Sequence, residues 1–232
     1  NDVRTDNRKR ICKEYSTKDK RIVYIGKENG GVVTARNYGI TKATGEYILP
    51  VDSDDIIKNT YIEKAVDVMV KNENIGIVYC KAEFIGGKTG YWDLPEFTIG
   101  NILKDNCIFV TALFKRTDWV NVGGYKDYVK DSTEDYDFWL SLIENGVKVY
   151  RIPEILFQYR IRENSRSTKA KYNKRVIINY HKRLYKENIR LLERGDLKKY
   201  LKNELNEKIT LAKRMKCLML YFALRIHLIN KL

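Results

Sequence analysis

Histidine is nearly missing from this 232-residue chain: His181 and His227 are the only two, and both fall in the last quarter. That excludes a histidine-rich zinc site and argues against a Ser-His-Asp triad, so acid and base work falls to carboxylates. Cysteine is also scarce. Cys12, Cys80, Cys107 and Cys217 lie far apart with no Cys-x-x-Cys spacing, the pattern of reduced structural thiols in a cytoplasmic protein. There is no signal peptide and no run of about 20 apolar residues. The chain opens on Asn1 rather than Met, as if a segment lay upstream.

What the chain has in plenty is positive charge, unevenly placed. The net charge is +14, and from Lys171 onward 17 Lys and Arg stand against 5 Asp and Glu, so 12 of those 14 charges lie in the tail. The 44% hydrophobic content suffices for a proper core. The tail reads as helical, with stripes at Val176, Ile177, Tyr180, Leu184 and, after Gly195-Asp196, at Leu197, Leu201, Leu205 and Ile209. Met215–Ile229 is too short and interrupted to span a bilayer. It suits either the interface of an anionic membrane or a core-packing helix with a solvated basic face.

The first 167 residues read as alternating strands and helices. Asp6–Tyr15 is a short polar helix and Arg21–Ile25 a strand; residues 32–43 are a helix after Gly30-Gly31. Residues 46–51 form a buried strand, and residues 60–71 a helix with Ile62, Ala65, Val66 and Met69 on one face. Ile75–Cys80 is a strand. After Gly86-Gly87 comes a loop-rich stretch marked by Pro95 and Gly100. Val110–Lys115 is a strand, Gly123-Gly124 a turn, and residues 132–144 a helix. Two short strands, 147–152 and 154–161, are expected on either side of Pro153. This order predicts an α/β domain with a mostly parallel sheet flanked by helices.

The most informative run is Asp52-Ser53-Asp54-Asp55, three carboxylates in four residues at a strand's end. Open α/β sheets hold ligands there, and hard oxygen donors so spaced suit Mg²⁺ or Mn²⁺. Asp and Ser also favour turns and helix caps, where they bind only local backbone. An EF-hand is excluded: counting from Asp52, Glu63 falls at position twelve, but Ile56 and Ile57 occupy positions that need an oxygen ligand and a glycine. Farther on, Asp135 has capping-box spacing from Ser132. It also sits three, four and seven positions before Phe138, Trp139 and Leu142, beside an apolar helix face. Desolvation there raises a carboxyl pKa toward the range of a useful general base.

Taken together, several segments resemble family 2 glycosyltransferases. They are Asn1-Asp2 with Thr5-Asp6-Asn7, Asn29-Gly30-Gly31 with Ala35-Arg36-Asn37-Tyr38-Gly39-Ile40, and Gly45-Glu46-Tyr47-Ile48 running into Asp52-Ser53-Asp54-Asp55. Gly123-Gly124-Tyr125 and Glu134-Asp135-Tyr136-Asp137-Phe138-Trp139-Leu140 resemble that family's acceptor-side motif. The resemblance implies a GT-A (Rossmann-like) domain over residues 1–167, followed by a basic helical extension over 168–232. It implies a nucleotide-sugar donor, a glycan or lipid-linked acceptor, and an inverting transfer assisted by Mn²⁺ or Mg²⁺. Asp2 would bond the nucleobase with Arg36 and Asn37 beside it. Asp52 would touch the ribose or the metal shell, Asp54 would be the principal metal ligand with Asp55 next to it, and Asp135 would be the catalytic base. Read alone, Arg36 is a helix-surface charge and Asp2 a turn residue. Gln158-Tyr159-Arg160-Ile161-Arg162 resembles the family's closing motif, in which a histidine able to bind metal often stands where Arg162 does. Arginine cannot ligate a metal, but it can hold a phosphate by two hydrogen bonds; the other reading turns Arg162 to solvent. The strand and nucleotide-lining turn with which the family begins are missing from the front.

Two other classes stay open on the residues alone. A metal-dependent nucleotidyltransferase could use the acidic run without Asp135. A nucleic-acid-binding protein would interleave its positive patch with exposed aromatics; the tail's tyrosines fall mainly on helical stripes, so no nucleic-acid partner is expected. The reduced cysteines point to a cytoplasmic protein, and the tail's charge together with Met215–Ile229 suits docking on the inner face of the cell membrane.

Overall fold

A computed structural model describes residues 7–126 and 133–162. Asp2, Ser132 and the predicted extension over 168–232 lie outside the described residues. In chain order the elements are α1 (Arg8–Lys18), α2 (Gly31–Lys42), β1 (Tyr47–Ile48), β2 (Ile56–Ile57), α3 (Tyr61–Lys71), β3 (Ile75–Gly86), β4 (Gly90–Trp92), α4 (Ile99–Lys104), β5 (Leu113–Lys115), α5 (Arg116–Asn121), α6 (Glu134–Glu144) and β6 (Lys148–Ile161).

The sheet runs β1-β5-β3-β6-β2, with β4 added to β3. It is mixed, which corrects the mostly parallel sheet expected from element order. Among the described residues only β3 and β6 pair in parallel, while β1·β5, β2·β6, β3·β4 and β3·β5 are antiparallel. The long β3–β6 ladder is the backbone of the molecule. It runs from Ile75 opposite Lys148 to Gly86 opposite Ile161. The two strands expected around Pro153 are one continuous strand. Register shifts at Cys80/Lys81 and Lys81/Ala82 take β6 from Ile152 to Ile155 to Phe157, so the residue that cannot donate to the ladder falls in a bulge. Gly86 ends β3 at φ +86°, where a Cβ would stand 2.8 Å from the Ile161 carbonyl oxygen. That position needs glycine.

Helical periodicity is borne out with one rotation. In α3 the buried residues are Tyr61, Ala65 and Met69, four apart, while Ile62 is 50% exposed. Tyr61 takes the inward place because its hydroxyl donates to the buried Thr111 carbonyl at 2.8 Å, which satisfies the one polar atom it carries inside. Gly31 opens α2 at φ +83° and Val33 and Ile40, seven apart, face the core. Residues 21–25 are not a strand: they pair with nothing among the described residues, and Val23 is 74% exposed. On one side of the sheet Phe114, Phe138 and Trp139 pack edge to face at 5.0 and 5.8 Å. Another aromatic group gathers Phe109, Phe157, Trp92, Phe84 and Tyr159.

Candidate active site

The acidic run lies between β1 and β2 as a turn, closed by the Asp55 amide donating to the Asp52 carbonyl at 3.0 Å. Because Ile56 pairs with Gln158 in antiparallel register, residues 54 and 55 fall beside the end of β6. The Arg160 amide donates to Asp55 Oδ1 at 2.8 Å, and its guanidinium Nε donates to the Asp54 carbonyl at 2.8 Å. Arg162 Nε lies 3.1 Å from Asp54 Oδ2, so this arginine does not face away from the site although its side chain is 57% exposed.

Arg36, from the middle of α2, reaches the same place. Its two terminal nitrogens donate to Asp52 Oδ1 and to Glu134 Oε1, each at 2.9 Å, and its guanidinium lies 5.9 Å from the Tyr125 ring centre. Burial opposes its charge, but Asp52, Tyr125 and Glu134 outweigh that, and the guanidinium stays protonated. The side chain is only 12% exposed, and Glu134 5%. One arginine thus binds the acidic turn to the start of α6. No local pattern in the sequence marks this link; Glu134 is visible there only as the first residue of the motif that carries Asp135.

Asn37, one residue along, does not line this cleft. Its amide nitrogen donates to the Tyr125 carbonyl at 2.7 Å, and its oxygen accepts from the Tyr125 amide at 3.0 Å and Trp119 Nε1 at 3.3 Å. Expected beside the donor, it instead ties α2 to the Gly123-Gly124 turn. Gly124, at φ +69°, leaves room for the approach, since a Cβ there would stand 2.9 Å from the Asn37 oxygen.

Asp135 is the second residue of α6 and opens on the cleft. Its Oδ1 accepts from the Tyr136 amide at 2.8 Å, and Asn106 Nδ2 donates to its Oδ2 at 3.3 Å. Burial, then the neighbouring Glu134 charge, push its pKa up to about 7, while Arg36 and backbone amides pull the other way. Such a carboxyl is poised to accept a proton at neutral pH. Asn106, 29 residues before Asp135, carried no signal in the sequence.

These groups face a cleft of about 360 Å³. Asp52, Asp54, Asp55, Glu134, Asp135, Arg36 and Asn106 supply its polar lining, and Trp92, Leu94, Ile108, Phe109, Phe157 and Tyr159 much of the rest. Among the described residues no three His, Cys, Asp or Glu side chains converge as a ready metal site. The three-carboxylate set Asp52, Asp54, Asp55 is therefore not assembled, because Asp52 is turned to Arg36. The other two still fit a hard cation: Asp55 Oδ2 is buried with no hydrogen-bond partner, and burial raises its carboxyl to about 6. A divalent ion would satisfy that oxygen and oppose the shift.

A mixed sheet flanked by helices, with an acidic turn and a helix-borne carboxylate on one cleft, is the layout of the GT-A fold. S. aureus TarS 1–349, solved in complex with UDP-GlcNAc, superposes with a TM-score of 0.61 at 18% identity, covering 96% of this chain and 62% of that one. The mannosyltransferase PcManGT from Pyrobaculum calidifontis, in complex with GDP-Man and Mn²⁺, gives 0.54 at 12% identity, over 96% and 58%. The model of glycosyl transferase family 2 matches residues 1–135, and the chain belongs to that family. The minor teichoic acid biosynthesis protein GgaB of Bacillus subtilis is 33% identical over 185 residues, 75% of this chain, and the chain spans 20% of that relative's length. Among the described residues no helix is long and apolar enough to cross a membrane.

Proposed function

We propose that the chain transfers a sugar, with inversion, from a nucleoside diphosphate donor, in the first instance a UDP-sugar, to a hydroxyl of a glycan or glycolipid acceptor in cell-surface polysaccharide synthesis. The observation that carries this is the placement of Asp135, raised to about 7, on the same cleft as the acidic turn. Asp135 takes the proton of the acceptor hydroxyl as that oxygen attacks the anomeric carbon, and the nucleoside diphosphate leaves from the opposite face. Asn106 holds the carboxylate in place. Asp54 and Asp55 would hold Mn²⁺ or Mg²⁺, which when bound supplies positive charge to the leaving diphosphate. Arg162 is free to turn from Asp54 to a phosphate oxygen. Asp2 serves the nucleobase, and Arg36 fixes Asp52 and Glu134 around it rather than touching the base itself. The names of TarS's and PcManGT's bound nucleotide sugars, and GgaB's part in teichoic acid synthesis, support this reading.

Residues 1–167 form the transfer domain and 168–232 a basic extension that docks on an anionic membrane surface. Sedimentation with phosphatidylglycerol vesicles but not with phosphatidylcholine vesicles is the expected result. The central test is a nucleotide-sugar panel with Mn²⁺ and with Mg²⁺, reading nucleotide release and sugar transfer. Turnover of a donor that Asp135→Asn abolishes supports the reading. Nucleotide chemistry untouched by Asp135→Asn would instead indicate a nucleotidyltransferase.

A further inference from the structure

The cleft is unlike on its two sides, and the difference bears on the acceptor. Its polar side holds five carboxylates and one cation, Arg36, whose terminal nitrogens are already taken by Asp52 and Glu134. Its other side is carried by the sheet. Ala82 of β3 pairs with Trp92 on one flank and Phe157 on the other, and Phe84 pairs with Tyr159, so these rings share one face. Trp92 stacks on Phe84 at 5.1 Å with planes 26° apart and meets Tyr159 at 5.0 Å and Phe109 at 6.0 Å, which fixes the indole and leaves to the cleft the part these rings do not cover. It keeps intermediate exposure and lines the cleft.

Resting on the transfer reading above, we propose that the acceptor is a neutral pyranose-bearing glycan whose ring sits on Trp92, rather than an alditol-phosphate chain. The exposed part of this rigid indole, which lines the cleft, is the kind of surface that the C–H side of a pyranose covers, while the carboxylates accept from the sugar's hydroxyls. A phosphate-linked acceptor would bring repeated negative charge against five carboxylates, where among the described lining residues Arg36 is the one cation and its terminal nitrogens are engaged. On the transfer reading, Arg162 and a cation held by Asp54 and Asp55 would serve the donor's diphosphate, so a second anion in the cleft would face the carboxylates' repulsion.

The test uses the full 232-residue chain. Binding of neutral disaccharides of glucose, galactose and N-acetylglucosamine is compared with oligo(glycerol phosphate), and UDP binding is measured separately. The expected result is binding of a neutral disaccharide, with Trp92→Leu weakening it about tenfold and Trp92→Phe staying within about threefold. In the unmodified chain, saturation placed on aromatic protons reaches the C–H protons of one sugar face, a readout independent of how the variants fold. Preference for oligo(glycerol phosphate), binding of neither class, or no saturation transfer overturns the proposal. So does a folded Trp92→Leu chain that holds the disaccharide as tightly as before. Loss of UDP binding alone would count against the donor reading and leave the Trp92 platform standing.

Discussion

The acidic and aromatic sides of the cleft are assembled by opposite means. The first draws on residues 36, 52–55 and 134–135, brought together by charge: one guanidinium spans two carboxylates, and two more arginines at the end of β6 hold the turn. The second is a consequence of strand register, in which β4 and β6 flank β3 and their rings meet over it. The polar side concentrates negative charge that burial disfavours, with Asp55 and Asp135 both pushed up. On the proposed reading, function sits where burial costs stability. The aromatic side buries apolar area and stabilises the sheet that both sides need.

If that contrast holds, Asp135→Asn separates activity from stability most sharply. Transfer should fall about 10³-fold, the range of a lost general base, with UDP affinity little changed. Stability should move the other way. A carboxyl raised in the folded state from 3.8 to about 7 favours the native state only while protonated. Its contribution is therefore intact below the unfolded pKa and is lost as pH rises to about 7. Because Asp135 opens to solvent at the cleft, the gain of the Asn variant at pH 8 should be about 1 kcal/mol, vanishing near pH 4. Denaturant titrations at the two pH values check it, and the acid limb of kcat/KM should lie near the carboxyl's value of about 7. An Asn variant less stable at pH 8 would mean that Asp135 is held by its hydrogen bonds more than it is strained by burial.

Phe157→Ala probes the opposite side. Phe157 is fully buried and packs on Phe109 at 4.5 Å on the face of the ladder that carries Trp92. Its removal should lower stability by about 3–5 kcal/mol, read as a shift of the urea midpoint without a change of slope. Arg36→Gln tests the joint between the acidic turn and α6 within the polar side. It deprives Glu134, 5% exposed, of its guanidinium and should cost about 2 kcal/mol. Since Arg36 lowers the Asp135 pKa, the acid limb should move upward. Arg36→Gln with Glu134→Gln should regain part of the loss, because the buried charge is removed with its partner.

How much of this could be read from residues follows the same division. Local features were legible: α2, α3 and α6 lie within two residues of their predicted spans because helical periodicity and flanking glycines are properties of short windows. The acidic turn was legible as a run. Strand direction was not, since β5 pairs antiparallel and β6 parallel with β3 according to how the chain returns to β3, which no short window records. Pro153 suggested a break because a bulge depends on the partner strand. Arg21–Ile25 has the alternation of a strand but finds no partner among the described residues. Asp135 was singled out by its type, its neighbours and the resemblance, whereas its contact with Asn106 and the Arg36–Glu134 contact join residues 29 and 98 positions apart, a matter of packing alone.

Arg162 gives the smallest effect and the finest test of the polar side. Its side chain is 57% exposed, so its ion pair with Asp54 should add at most about 0.5 kcal/mol, and Arg162→Ala should leave the urea midpoint nearly unchanged. Its weight falls on ligands instead. While Arg162 holds Asp54 Oδ2, that oxygen is less available to a cation, so removing the arginine should tighten Mn²⁺ binding a few-fold, about threefold. The same change deprives the diphosphate of a two-bond partner and should weaken UDP binding measured without metal. Opposite shifts in the two affinities would show one residue exchanging Asp54 for phosphate as the donor arrives. Parallel shifts, or none, would leave the Asp54 contact a surface pair and place the charge that meets the diphosphate elsewhere on the acidic turn.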